Sequence, residues 1–182
     1  VMVLAQETFC AARGQCGCDV PAGRGARRTP RSLTLATGVT AAGLDAVSRG
    51  RFVLGIGTSG PQVIEGWHGV PFDKQLARTR ELIDICRLVW KREVVAYDGD
   101  AYTLPLPPEL GTGLGKPLKI INHPVRDDIP IYIASLGPKS VQLTAELADG
   151  WLPAFFQPDK ASDVWGDDLA IGAKQRDPQR AP

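Results

Sequence analysis

The sequence predicts an α/β fold built on a parallel sheet, and three features support this prediction. Two continuous apolar runs, "RFVLGIG" (51–57) and "IPIYIAS" (129–135), suit strands that are buried on both faces, as in a parallel sheet. A helix with a distinct apolar face lies between them, and a second helical pattern follows the later run. The order strand, helix, strand, helix, strand is that of β-α-β units.

Composition restricts the class of protein. The chain has 182 residues, of which 43% are hydrophobic and 23% charged, so it can bury one core. A net charge of +1 gives no general attraction to nucleic acid or anionic lipid. No apolar run approaches the roughly 20 residues that a membrane span requires, and residues 1–18 lack the pattern of a secretory signal. We therefore expect a cytoplasmic protein that binds neither nucleic acid nor membrane.

The cysteines do not predict a metal site. Cys10, Cys16 and Cys18 lie near the N-terminus, Cys86 lies on the apolar face of a helical pattern, and the chain has only two histidines. A metal site usually needs four ligands at characteristic spacings, which are missing here.

The ends of the chain differ from its middle. Residues 1–28 are rich in glycine and arginine without a sustained period, which predicts an irregular or disordered segment. Residues 29–178 form the predicted domain and 179–182 a tail. The stretch "SLTLATGV" (32–39) fits either a short strand or the start of a helix, and periodicity does not separate the two.

The middle of the chain alternates helices with turns. The loop 58–74 contains Gly66, Gly69 and Pro71, which we expect to prevent a helix. A helix is predicted within "LARTRELIDICRLVWKRE" (76–93) from the spacing of its apolar residues: Leu82, Ile83, Cys86, Val89 and Trp90.

Further along, "VVAYDGDAYTL" predicts a hairpin with a two-residue turn at Asp98-Gly99. The Pro- and Gly-rich excursion 105–124 is long for a connection without structure, so we expect it to cover something. A short helix is predicted within 137–150, followed by a third strand in "GWLPAFF" (150–156) and one weak helix in the tail.

A G-x-G-x-x-G pattern at Gly55, Gly57 and Gly60 raises the possibility of a dinucleotide fingerprint. That fingerprint requires the last glycine to open a helix and an acidic residue at the next strand end about 20 residues on. Glu81, the acid nearest that distance, lies inside a helical pattern. The alternative is the carboxyl end of a barrel strand, where glycines allow a flat ring to approach the backbone.

Two long blocks resemble one family. The stretch 44–90, "LDAVSRGRFVLGIGTSGPQVIEGWHGVPFDKQLARTRELIDICRLVW", resembles the luciferase-like monooxygenases, most closely the branch that uses the deazaflavin coenzyme F-420. The block 129–156, "IPIYIASLGPKSVQLTAELADGWLPAFF", and the insertion "YDGDAYTLPLP" (97–107) match the same family. The resemblance covers roughly 29–178. It implies a partial (β/α)8 barrel and an oxidoreductase that transfers a hydride or adds oxygen by means of F-420 or, alternatively, FMN.

The resemblance also implies the site residues. Two tetrapeptides are expected to border the cofactor ring: Gly57, Thr58, Ser59 and Gly60, and then Ser135, Leu136, Gly137 and Pro138. Lys139 could meet an anion at the start of the following helix. His68 is a weak candidate for a proton donor, and packing within the loop is the simpler interpretation.

Some residues of the relatives are not matched. Gly60 stands near the place of a proton-donating glutamate, and Ala154 and Gln157 stand where some relatives bind phosphate with threonine and lysine. The resemblance therefore does not imply chemistry on a sugar phosphate. A small-molecule substrate is expected in a pocket lined by 105–124.

The resemblance implies that the first two and last two barrel strands lie outside this sequence, and that 1–28 does not supply them. An open partial barrel leaves sheet edges unpaired, so we expect a homo-oligomer or association through those edges. Two alternatives remain: a non-catalytic remnant that pairs with a partner subunit, and a Rossmann-type nucleotide binder.

Overall fold

The computed structural model describes residues 2–6 and 32–180. Strands are β1 (Met2–Gln6), β2 (Val53–Gly57), β3 (Tyr97–Asp98), β4 (Thr103–Leu104), β5 (Ile131–Ala134) and β6 (Gly150–Trp151). Helices are α1 (Ser32–Val47), α2 (Pro61–His68), α3 (Gln75–Trp90), α4 (Pro138–Leu147) and α5 (Pro158–Gln175), with short 3-10 turns at Pro108–Leu110 and Pro178–Arg180.

Four strands form one parallel sheet in the order β1-β2-β5-β6, and β3 and β4 form a separate antiparallel hairpin. The predicted parallel sheet is confirmed. The structure differs from the prediction in β1, since residues 2–6 pair in parallel with β2 along its whole length although 1–28 was expected to be irregular. The run "MVLAQ" is short, but pairing with β2 satisfies the backbone groups on the side that faces β2. Residues 7–28 lie outside the described part of the chain.

The main core lies between the sheet and its helices. Leu54 pairs with Ile131 and Ile56 with Ile133, so these side chains share one face of the sheet, and all four are at most 4% exposed. They pack in one cluster with α3, whose buried face includes all of the predicted apolar positions. Burial of each such side chain stabilises the fold by roughly 1.5–3 kcal/mol.

Helix α1 shows that 32–39 is helical. The turn that follows α1 is stabilised by side chains from the block 44–90, which carries the family resemblance. Ser48 Oγ donates to the carbonyl of Asp45, and Arg51 Nε donates to the carbonyl of Ser48. Gly50 has a φ of 74°, which glycine adopts without strain. The residues of the resemblance at 45–51 therefore have a structural role, which is to form the turn between α1 and β2.

Helix α2 overturns the prediction that 58–74 contains no helix. Pro61 occupies the first turn, where its missing N–H is not needed, and Gly69 ends the helix with a φ of 64°. Of the three residues expected to prevent a helix, Gly69 is the C-cap of α2, Pro71 lies beyond it, and Gly66 is accepted at an exposed position within it.

The predicted hairpin is present, but its connection is longer than two residues. Gly99 N donates to Tyr102 O at 2.9 Å, and the carboxylate of Glu81 accepts hydrogen bonds from the backbone N–H groups of Ala101 and Tyr102. Glu81 lies on α3, so a tertiary contact sets the loop in place of the local turn sequence.

The third predicted strand is much shorter than expected, and the weak tail helix is much longer. Strand β6 has two residues, whereas α5 has 18. Gly172 is the buried residue of α5, and a Cβ there would lie 2.1 Å from Gln142 O on α4. Helices α4 and α5 therefore approach each other closely at Gly172.

Candidate functional site

A cleft opens where β2 and β5 end side by side. Gly57 pairs with Ala134, so the segments that leave the two strands start as neighbours at one edge of the sheet. The cleft has a volume of about 510 Å³, within the usual range for small-molecule sites. Its lining residues come from both strand ends and from α3 and α4: Gly57, Thr58, Ser59, Leu76, Thr79, Ile133, Ala134, Ser135, Leu136, Gly137, Ser140, Leu143, Leu152 and Ala154.

The structure brings the two predicted tetrapeptides together. Their first three residues, 57–59 and 135–137, all line the cleft. The fourth residues, Gly60 and Pro138, do not; Gly60 is the N-cap of α2, and Pro138 is the first residue of α4. The cleft thus has two backbone rims, each continuing into the start of a helix.

A directed chain of hydrogen bonds fixes the hydroxyl of Ser135. Thr144 Oγ1 donates to the carbonyl of Ser140 at 2.7 Å, which uses its only proton. Ser135 Oγ lies 2.8 Å from Thr144 Oγ1 and must therefore donate to it. Because Ser135 is only 8% exposed and its proton is committed, its hydroxyl can only accept a hydrogen bond from a ligand in the cleft.

Two indole rings hold the backbone of the second rim. Trp151 Nε1 donates to Ser135 O at 3.0 Å, and Trp165 Nε1 donates to Leu136 O at 3.1 Å. The rings pack edge to face with centroids 5.1 Å apart, an arrangement favoured by aromatic pairs. Successive carbonyls of the rim are thereby fixed from two different elements, β6 and α5.

Helices α2 and α4 both begin at this edge of the sheet without a side-chain cap. Each has proline in its first turn, where several backbone N–H groups of a helix lack an intrahelical partner. In α2 one of these groups, the N–H of Val63, donates to Gly60 O at 3.1 Å. A helix N-terminus carries a partial positive charge and favours negatively charged ligands. The edge therefore suits a ligand with an anionic part.

Ser59 adopts a left-handed conformation with a φ of 53°. This region is unusual for residues other than glycine, asparagine and aspartate, and it costs about 1 kcal/mol or more. The first rim, 57–59, thus turns between β2 and α2 at Ser59, a residue other than glycine in the left-handed region.

Several lining residues escaped the sequence prediction because they lie on helices. Leu76 and Thr79 come from α3, Ser140 and Leu143 from α4, and Leu152 follows β6. The helical spacing of three between residues of each pair was a usable signal, since it places them on one helix face. Ala154, which stands where some relatives have a phosphate-binding threonine, also lines the cleft, whereas Gln157 is the N-cap of α5.

A second cleft of about 670 Å³ lies between α3, α4 and the hairpin, and it is strongly charged. Arg80 and Glu146 face each other across it in a two-pronged ion pair, with both N–O distances 2.6 Å. The hydrogen bond to Glu146 raises the pKa of Arg80. Lys139 lines this cleft and not the one between the rims. We assign this cleft to helix and hairpin packing.

The remaining candidates lie elsewhere. His68 ends α2, and its side chain lies outside what the structure describes, so its role stays a prediction. His123 Nδ1 contacts Arg92 at 3.1 Å in an exposed position. The excursion 105–124 contributes to neither of the two clefts above, so the structure gives no support to it as a pocket wall. Its apolar residues Leu114 and Ile121 are more than 80% exposed.

Within residues 2–6 and 32–180, no three side chains of His, Cys, Asp or Glu cluster in a way that could hold a metal ion. No helix in the same ranges has both the length and the apolar character needed to cross a bilayer.

Comparison with known protein families shows which family this chain belongs to. The sequence pattern of the family described as luciferase-like monooxygenase matches residues 23–182. The chain belongs to the luciferase-like monooxygenase family. Its glycine-rich stretch 55–60 covers the end of strand β2 and the turn into α2, and the family match favours this interpretation over a Rossmann fingerprint.

Relatives of this luciferase-like chain are named for coenzyme F-420. One protein of Mycobacterium tuberculosis, named "Putative coenzyme F-420-dependent oxidoreductase", is 56% identical over 132 residues, which are 72% of this chain and 37% of that protein. A 5,10-methylenetetrahydromethanopterin reductase of Archaeoglobus fulgidus is 37% identical over 140 residues, 74% of this chain and 37% of the reductase. The chain thus spans little more than a third of the length of these relatives.

Solved structures show the same fold. The tetrahydromethanopterin reductase of Methanopyrus kandleri, described as coenzyme F-420 dependent, matches with a TM-score of 0.59 at 24% identity, over 78% of this chain and 42% of its own. An F-420-dependent secondary alcohol dehydrogenase, in complex with an F-420-acetone adduct, matches with a TM-score of 0.64 at 20% identity, over 81% and 42%. The luciferase-like chain is therefore a partial barrel, with its parallel sheet and surrounding helices as the sequence predicted.

Proposed function

We propose that this chain forms the part of an F-420-dependent oxidoreductase that holds the cofactor at the carboxyl ends of two adjacent barrel strands. One observation carries the proposal: segments 57–59 and 135–137, which the family resemblance selects on sequence alone, line a single cleft. When bound, the deazaflavin ring accepts or supplies the hydride, and the protein positions the ring and excludes water.

The cleft fits such a group in shape and polarity. Leu76, Leu143 and Leu152 provide apolar surface for a planar ring and keep water away from it. Ser135 offers one fixed acceptor, which suits a ring N–H. The uncapped start of α4 suits the phosphate that both F-420 and FMN carry on the side chain of the ring.

The residues at the positions where some relatives bind phosphate restrict the class of substrate that we propose. Ala154 and the neighbouring Gln157 offer no cation at the end of β6, where some relatives bind the phosphate of a sugar. We therefore propose a small substrate without a phosphate group.

Binding measurements test the proposal. The 182-residue chain is titrated separately with F-420, FMN and NADP, and both cofactor fluorescence and thermal unfolding are recorded. We expect F-420 to lose fluorescence on binding and to raise the unfolding temperature. Binding of FMN alone would assign the site to flavin, and the absence of binding by both F-420 and FMN would refute the proposal.

We further propose that the chain associates through the edges of its sheet, with a second copy or with a partner subunit. In the described ranges β1 and β6 each pair on one side only, and Phe155 just beyond β6 is 94% exposed. Unpaired edges and exposed aromatic side chains favour association. Light scattering during size exclusion at several concentrations tests this, because a compact monomer at all concentrations would contradict it.

We propose a cytoplasmic location, which agrees with a free, buried thiol at Cys86 and with the cytoplasmic supply of reduced cofactors. Cell fractionation with an antibody to the chain tests this proposal.

A further inference from the structure

Thr79 on α3 carries a buried hydroxyl that lacks a hydrogen-bond partner. The residue is 3% exposed, and its Oγ1 contacts no donor or acceptor within hydrogen-bonding distance in the described part of the chain. A buried hydroxyl without a partner costs about 1–3 kcal/mol, so its presence calls for an explanation.

The other threonine near the cleft shows what is unusual about Thr79. A threonine inside a helix commonly donates to the carbonyl four residues earlier, and Thr144 on α4 makes that bond to Ser140 O at 2.7 Å. Thr79 makes no such bond to Gln75. Local helix geometry therefore satisfies Thr144 but leaves Thr79 unsatisfied.

Thr79 also lies where a ligand could satisfy it, since it lines the cleft between the two rims. The neighbouring surface from the helices is apolar, with Leu76 one helical turn earlier on α3 and Leu143 opposite on α4. Ser135 and Ser140 also line the cleft, but both donate their protons within the protein, to Thr144 Oγ1 and to Gly137 O. Thr79 is thus the buried lining hydroxyl whose proton is uncommitted.

We propose that Thr79 Oγ1 donates a hydrogen bond to an acceptor oxygen of the cofactor bound in this cleft and so determines its affinity. The inference rests on the proposed function, in which that cofactor is F-420 or FMN. Oγ1 has less than 1 Å² of exposed surface, so donation requires a rotation about the Cα–Cβ bond. Threonine in a helix populates two such positions, and the rotation is therefore accessible. With Ser135 after β5 as acceptor and Thr79 on α3 as donor, the cleft would present one hydrogen-bonding group of each kind from two different elements.

Three variants of the full chain test this inference, each assayed by F-420 and FMN titration and by urea unfolding without ligand. T79V keeps the shape of the side chain but removes the hydroxyl, T79S keeps the hydroxyl, and T103V makes the same change on the hairpin outside the cleft. We expect T79V to bind the cofactor about 5- to 20-fold more weakly, T79S to bind within about 3-fold of the wild type, and T103V to bind unchanged.

Unfolding separates a ligand contact from a structural role. Since T79V removes an unsatisfied polar group, its urea midpoint should equal or exceed that of the wild type. A clear fall in that midpoint, or failure of T79V to fold, would show that the hydroxyl has a structural partner and would overturn the inference. Wild-type affinity in T79V would also overturn it while leaving the proposed function intact. If the wild-type chain binds neither cofactor, the proposed function fails and the inference fails with it.

Discussion

The indole of Trp165 on α5 donates a hydrogen bond to the carbonyl of Leu136, at 3.1 Å, in the rim that follows β5. Helix α5 packs against α4 and, through Trp165, against Trp151 of β6, and this bond links α5 directly to the candidate site. It acts beside the bond from Trp151 to Ser135 O, and together the two indoles determine where two consecutive peptide carbonyls point. A cleft whose wall is backbone requires such support, because a rim without side-chain anchors could change its conformation.

The first prediction concerns this support. W165F keeps an aromatic ring against Trp151 but removes the N–H donor. Loss of one hydrogen bond at an exposed position should lower the free energy of unfolding by about 0.5–1 kcal/mol. Because the free carbonyl can reorient, we also expect F-420 to bind several-fold more weakly. Urea unfolding and fluorescence titration measure the two effects, with W67F as the control, since Trp67 is 83% exposed on α2. Equal behaviour of the two variants would contradict the prediction.

The second prediction concerns the direction of the Ser135 hydroxyl. T144V removes the acceptor of the Ser135 proton and also the bond from Thr144 to Ser140 O. We expect a loss of about 1–2 kcal/mol in unfolding free energy, because the Ser135 proton is left without a partner in a buried position. Without Thr144 Oγ1 the Ser135 hydroxyl is no longer fixed as an acceptor toward the cleft, so affinity for F-420 should fall while the site remains.

The matched comparison for T144V is T144S, which retains a hydroxyl at the same place. T144S should preserve most of the cofactor affinity and lose less stability than T144V. If both variants bind F-420 as tightly as the wild type, the hydrogen-bond chain does not orient Ser135 for ligand binding.

The third prediction concerns a buried ion pair below the site. Asp45 is 1% exposed, and its carboxylate accepts hydrogen bonds from Arg126 Nε at 3.1 Å and from the backbone N–H of Phe52 at 3.2 Å. D45N leaves the guanidinium of Arg126, which is 30% exposed, without its countercharge and weakens the hydrogen bonds that it makes. Hydrogen bonds to charged groups typically contribute about 1.5–3 kcal/mol, and we expect a loss of that size. D73N is the control, because Asp73 forms its pair with Arg78 while half exposed and should cost less than about 1 kcal/mol. Urea unfolding followed by tryptophan fluorescence compares the two, and similar losses would contradict the assigned burial.

The predictable part of this structure was the part in which local pattern and tertiary environment agree. Strands β2 and β5 are recognisable in the sequence as unbroken apolar runs because both faces of the sheet are covered. Helix α3 shows a helical period because one of its faces packs on the sheet. The family resemblance then selected 57–59 and 135–137, and strand pairing between Gly57 and Ala134 explains why such distant segments share a cleft.

The parts that were missed depend on contacts that sequence pattern does not carry. Helix α2 was overlooked because Gly66, Gly69 and Pro71 were expected to prevent a helix, whereas Gly69 only ends it and Pro71 follows it. The hairpin loop depends on Glu81 from α3, 20 residues before Ala101. Thr79 gave no signal as a site residue, since a threonine inside an amphipathic helix is ordinary until its missing partner is seen in three dimensions.

The last prediction concerns Cys86, whose thiol lies in the core of α3 and is fully buried. Burial raises the pKa of this thiol from its ordinary 9.0 to about 12. At pH 8 the fraction of reactive thiolate in the folded chain is therefore roughly a thousandfold lower than in the unfolded chain. Since the folded pKa is the higher of the two, the stabilising contribution of Cys86 is complete below pH 9 and declines as the pH rises from 9 toward 12.

We expect iodoacetamide at pH 8 to leave the peptide containing Cys86 unmodified in the native chain and to modify it fully in 6 M guanidinium, as measured by mass spectrometry of tryptic peptides. The same peptide should become reactive in D45N at urea concentrations that leave the wild type protected, because labelling then follows unfolding. Rapid modification of Cys86 in the native wild type would show that the packing between α3 and the sheet opens far more readily than its burial indicates.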